Sequence, residues 1–227
     1  MTDPDAGQPP VPGSRLVGLV QVMDTLRTGC PWDARQTHAS LAPHLLEETY
    51  EALDALAAGD QAALRDELGD VLLQVVFHAR IAQERTDGTG YTIDDVADGI
   101  IAKLTRRHPH VFGDVSVSGP DEVKQNWDAI KAAERAAKGS GPVSALDGIP
   151  MTQPALSLAA QLLRRAKRAG APAELATADE TDDVSELGQQ LLALVASAQE
   201  TGLDPELELR KAARAYAGRV RAFEAGQ

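Results

Sequence analysis

Residues 41–70 hold eight acids, Glu47, Glu48, Glu51, Asp54, Asp60, Asp66, Glu67 and Asp70, against one base, Arg65. This window supplies −7 of the formal net charge of −12 and leaves −5 for the other 197 residues. Glu47 and Glu51 are spaced i,i+4, while Glu48 and Glu51, and again Glu67 and Asp70, are spaced i,i+3. On a helix such pairs share a face, with Cβ atoms about 5–6 Å apart, and each like-charged pair costs a few tenths of a kcal/mol. No lysine at i+4 offsets that cost. The pairs also flank the apolar run Val71-Leu-Leu-Gln-Val-Val-Phe77, where uncompensated carboxylates are expensive. A bound cation resolves the conflict. Oxygen-only donors suit a hard cation such as Mg²⁺. A charge run is ordinarily a solvated face; the pattern Glu-Glu-x-x-Glu followed by Glu-x-x-Asp favours the metal site.

Other residues could serve an anionic ligand of that cation. Lys103, Arg106 and Arg107 cluster at the predicted end of a helix, where positive charge also complements the dipole. Lys103 and Arg107 are spaced i,i+4 and can present one cationic face to phosphates, with Lys131 as a more distant cation. Trp32 and Trp127 can each stack on a base or serve as a packing anchor. His108 and His110 flank Pro109 and suit a turn, and His38, His44 and His78 show no clustered ligand spacing. Cys30 has no catalytic partner nearby in sequence.

Positioning the two carboxylate pairs requires two antiparallel helices. Periodicity predicts a helix over about 41–58, closed by Gly59-Asp60, and another over about 61–84. The two-residue turn makes them neighbours and can bring the pairs face to face. An amphipathic helix over 15–27 precedes the turn-like Gly29-Cys-Pro-Trp-Asp33. Thr92-Ile-Asp-Asp95 reads as an N-cap with acids in the first turn, opening a helix that stops before Pro109. Further helices are expected over 121–138, 155–169, 184–200 and 205–224, with an acidic polar loop around 170–183.

The organisation that follows is all-α: a flexible leader 1–14, a helical domain 15–138 that carries the carboxylate pairs, a linker 139–154, and a smaller helical domain 155–227. The smaller one echoes the larger, since Glu186-Leu-Gly-Gln-Gln-Leu-Leu192 resembles Glu67-Leu-Gly-Asp-Val-Leu-Leu73, each opening an apolar helix. Gln189 stands where an aspartate would be needed and no Glu-Glu-x-x-Glu precedes it, so this degenerate repeat is expected to be catalytically dead.

Composition narrows the function classes. With 43% hydrophobic and 25% charged residues the chain can build a core, and only 4% aromatics favours packed helices. A sequence pI near 4.8 argues against a nucleic-acid polymer as partner. One cysteine allows no intrachain disulfide and points to a reducing cytoplasm. No apolar run approaches the ~18 residues of a membrane span.

Taken together, the motifs resemble the MazG family of nucleoside triphosphate pyrophosphohydrolases, within the all-α NTP-pyrophosphatase superfamily. Gly29-Cys-Pro-Trp-Asp33, Leu46-Glu-Glu-Thr-Tyr-Glu51, Glu67-Leu-Gly-Asp70, Lys103-Leu-Thr-Arg-Arg-His-Pro-His-Val-Phe112 and Trp127-x-x-x-Lys131 match in order. The acidic pattern alone would be shared with dimeric dUTPases. The resemblance implies hydrolysis between the α- and β-phosphates to a nucleoside monophosphate and pyrophosphate. It assigns Mg²⁺, replaceable by Mn²⁺, to Glu48, Glu51, Glu67 and Asp70, and water activation to Glu47. It implies nucleotide contacts for Lys103, Arg106, Arg107, Trp127, Lys131 and Trp32, and a homodimer. Two other readings stay open on the residues alone. A di-iron or di-manganese carboxylate bundle normally uses Glu-x-x-His, but Asp54 follows Glu51 and Leu73 follows Asp70 at that offset. An acidic helical interaction protein would bind a basic partner and no nucleotide.

Overall fold

The computed structural model describes residues 11, 13–138, 144–176 and 183–226. Most of the expected leader, part of the linker (139–143) and part of the acidic loop (177–182) lie outside the described residues. Among the described residues all regular structure is helical. Two compact units are formed, Met1–Ile130 and Lys131–Gln227.

In the first unit, α1 (Ser14–Gly29) ends where Cys30 turns extended and donates its N–H to Leu26 O. A 3-10 turn, Asp33–Arg35, leads to α2 (His38–Ala58). The apolar pattern places the start of α2 near Leu41, but it begins three residues earlier. The reason is a capping box: Ser40 N–H donates to Thr37 Oγ1 at 3.1 Å, and Thr37 N–H donates to Ser40 Oγ at 2.9 Å. At the far end Gly59 has φ of 72°, a left-handed conformation that costs glycine nothing. Asp60 then caps α3 (Gln61–Ala82), accepting from the N–H groups of Ala62 and Ala63 at 3.0 Å each. Two residues thus reverse the chain, and α2 and α3 form the most extensive helix pair of the molecule.

Thr92 and Asp95 form a second capping box at the start of α4 (Ile93–Arg107). Pro109 opens the single-turn α5 (Pro109–Phe112), and α6 (Pro120–Lys138) follows. The core that fixes the first unit joins Met23 of α1, Leu41 of α2, and Val76 and Phe77 of α3, with Leu19, Val20, Leu72, Leu73, Ile81 and Ile93 packed around it.

The second unit packs α7 (Ala155–Arg168), α8 (Glu186–Glu200) and α9 (Pro205–Ala225) on one another. Ile149, Ala160 and Val195 are its buried apolar residues. Arg165 secures the preceding chain by donating to the carbonyls of Ala145 and Asp147. Glu186 is the first residue of α8, capped by Ser185, whereas Glu67 is the seventh of α3. The two echoed segments therefore sit at different depths in their helices.

Leu41 is 1% exposed at the joint of three helices. Leu41→Ala is expected to cost about 3 kcal/mol of stability, and Asp60→Ala about 1 kcal/mol. Chemical denaturation with urea reads both.

Candidate active site

The α2–α3 hairpin converts sequence spacing into a cluster. One carboxylate oxygen from each of Glu48, Glu67 and Asp70 falls within 4.8 Å of the others. Glu51 lies beside Glu67, and its charge and hydrogen bonding favour the protonated form of the Glu67 carboxyl. Glu47 stands outside this group, exposed, and approaches His44 Nδ1 at 3.7 Å through Oε2. Three of the four acids expected to hold a cation thus converge, and Glu51 and Glu47 lie beside them on α2.

Electrostatics reports the strain of this arrangement. Partial loss of solvent, then repulsion from Asp70, Glu51, Glu47 and Glu67, pushes the Glu48 carboxyl above its ordinary range. Glu67 is pushed up by desolvation first, then by Glu51 and Asp70, with the Glu51 hydrogen bond favouring its protonated form. A divalent cation relieves what a proton only partly relieves. The all-oxygen donor set fits a hard ion, and among the described residues no histidine or cysteine joins the group.

Arg107, His108 and Trp127 form a cationic and aromatic group. The Arg107 guanidinium lies over the Trp127 ring, 5.5 Å from its centre. His108 meets the same ring edge-on at 4.7 Å and is itself held by Leu104 O at 2.7 Å from Nδ1. Lys103 and Arg106 of α4 are exposed, Arg107 is half-buried, and Lys131 lies on α6 beyond the boundary of the first unit. Trp32 is 50% exposed, with its ring 6.1 Å from His44 in an edge-to-face contact.

Sequence spacing missed several partners. His38 and His78 show no ligand spacing, yet their Nδ1 atoms are 2.7 Å apart. Their ring centres are 5.1 Å apart and the planes differ by 4°. That separation is about the N···N distance plus the two ring radii. The nitrogens therefore lie almost on the line of centres, and the rings share a proton in plane rather than stacking face to face. Burial, and then His38, hold His78 below the usual imidazole range. Gln74, one turn beyond Asp70, is 5% exposed with Oε1 unpartnered among the described residues. His44 lies one turn before Glu47 on α2. The His44–Glu47 approach is an i,i+3 pairing that spacing could have shown; the His38–His78 pair and the buried Gln74 carry no such signal, because one joins two helices and the other is set by burial.

Because the folded chain holds the Glu67 proton above the ordinary value of 4.5, its contribution to stability is present at lower pH and is lost as pH rises through the raised value. In chelator-treated protein, Glu67→Gln is therefore expected to be more stable than the parent at pH 7, with the difference vanishing on acidification below that window. Thermal denaturation across pH measures it; a variant less stable at pH 7 would contradict the repulsion.

Comparison with known proteins agrees with this geometry. Residues 36–112, which contain all five acids, match the model of the MazG nucleotide pyrophosphohydrolase domain. The chain is 46% identical over 217 residues to the "Uncharacterized 26.1 kDa protein in blaB 3'region" of Streptomyces cacaoi, covering 94% of this chain and 84% of that one. It is 44% identical to a nucleoside triphosphate pyrophosphohydrolase of Mycolicibacterium smegmatis, covering 97% of this chain but only 62% of the relative's length. It is 40% identical to the nucleoside triphosphate pyrophosphohydrolase of Escherichia coli, covering 92% of this chain and 86% of that protein. An all-α hairpin that gathers three carboxylates, a matching domain model, and relatives of 40–46% identity matched over 84–86% of their length place this chain in the MazG family of nucleoside triphosphate pyrophosphohydrolases.

Proposed function

We propose that the chain cleaves nucleoside triphosphates between the α- and β-phosphates, with Mg²⁺ held by Glu48, Glu51, Glu67 and Asp70 and Mn²⁺ able to replace it. The observation that carries this reading is the convergence of Glu48, Glu67 and Asp70 within 4.8 Å, in a family that hydrolyses nucleoside triphosphates. When bound, the cation neutralises charge on the phosphate oxygens and polarises phosphorus for attack.

The side chains divide the remaining work. Glu47, on the same helix as two of the ligands but outside their cluster, keeps a carboxylate free to accept the proton of the attacking water. Water adds its oxygen to the α-phosphorus, the α–β bridging bond breaks, and the bridging oxygen leaves with pyrophosphate. Lys103, Arg106 and Arg107 supply cations for the leaving phosphates, with Lys131 a further candidate. Trp127 carries Arg107 on its ring and so fixes that cation. The half-exposed ring of Trp32 contacts the base. A homodimer in the cytoplasm completes the reading. Among the described residues no helix is long and apolar enough to cross a membrane.

With Mg²⁺ present, the protein is expected to release pyrophosphate and no orthophosphate from a panel of canonical and modified triphosphates. Glu51→Ala and Asp70→Asn should each lower kcat/KM at least about a hundredfold and abolish the rise in thermal stability that Mg²⁺ gives the parent. Orthophosphate as first product would move the cleavage site. Unchanged turnover in both variants would remove the cation site from the mechanism.

A further inference from the structure

The Trp32 ring is half exposed, so core packing does little to fix it and its position depends on the main chain that carries it. That main chain is tied down by a guanidinium whose side chain is only 9% exposed. We propose that Arg27 is a positioning residue for nucleotide binding, setting the Trp32 turn against the end of α3. The proposal rests on the reading of Trp32 as a base contact.

Arg27 divides its donors between two tasks. Nε and Nη2 form a planar fork with the two oxygens of Glu84, both at 2.8 Å, just past the end of α3. Nη1 donates to the carbonyls of Asp33 and Gln36, the latter at 3.0 Å. These two carbonyls bracket the 3-10 turn that Trp32 opens. Gln36 passes the constraint on: its Nε2 donates to Trp32 O at 3.0 Å, and its Oε1 accepts from Ser40 Oγ at 2.7 Å inside the capping box of α2. Glu84 is in turn fixed by Arg80 at 3.0 Å, and Arg80 donates to Asp24 of α1 at 2.7 Å. A bridge serving only to join α1 to α3 would need the Glu84 fork alone. The Nη1 donor is committed to the turn. A lysine ammonium, lacking the planar fork, cannot serve both carbonyls and the carboxylate together.

The test compares Arg27→Met, Arg27→Lys, Glu84→Gln and Trp32→Ala in the full chain. Arg27→Met is expected to raise KM for nucleoside triphosphates about tenfold, the size of one lost base–aromatic stack, with kcat nearly unchanged. Adding it to Trp32→Ala should raise KM no further. Arg27→Lys and Glu84→Gln should fall between Arg27→Met and the parent. Fluorescence of Trp32, isolated in Trp127→Phe protein, should become more accessible to acrylamide when Arg27→Met is added. Unchanged quenching, or KM effects that add in full, would overturn the proposal. If Arg27→Met lowers stability too far for assay, the two milder variants carry the same comparison. Should Trp32→Ala leave KM unchanged while quenching rises in Arg27→Met, the positioning role in binding also falls, but the fault then lies with the reading of Trp32.

Discussion

Mutual repulsion among carboxylates is the constraint around which the first unit is built. Glu48, Glu67 and Asp70 converge across two helices with Glu51 beside Glu67, and in water such groups would separate. What holds them is the rigidity of the α2–α3 hairpin: a capping box at one end, a left-handed Gly59 and a doubly accepting Asp60 at the other. Met23, Leu41, Val76 and Phe77 bury the helices against α1. The folded chain stores unfavourable charge energy at the site and offsets it with apolar burial alongside, which preorganises the acids for a cation.

Charge elsewhere in this unit is treated in the opposite way. Arg27, Arg80, Asp24 and Glu84 are cross-paired, and Arg27 and Arg80 draw the Glu84 carboxyl below its ordinary range while Glu48 and Glu67 rise above theirs. Exposed pairs such as Arg65–Asp66 contribute little to stability. The contrast between a compensated clamp and an uncompensated cluster separates architecture from chemistry in a chain whose acids look alike in sequence.

Legibility followed that division. Interactions inside one helix are written in spacing, so the acidic pairs, the Thr92 cap and the Gly59–Asp60 reversal could be read directly. Pairings between helices are not: His38 and His78 are 40 residues apart, and Arg27 and Glu84 are 57. The start of α2 was obscured because Thr37 and Ser40 are polar and Pro43 follows closely, leaving the apolar period to begin at Leu41. The motif order carried the family, whereas the placement of Trp127 beneath Arg107 required coordinates.

The second unit keeps the helical echo without the acidic pairing. Glu186 opens α8, where the first-turn N–H groups and the helix dipole already favour its charge. Its partner position holds neutral Gln189, and no Glu-Glu-x-x-Glu helix stands before it. Glu186 lacks the i,i+3 carboxylate that pairs Glu67 with Asp70. The feature that makes the first unit costly to fold, several acids forced together in the middle of packed helices, is also the feature that gives it a site. A helix that keeps the apolar pattern without those acids lacks the donor set that converges on α2 and α3.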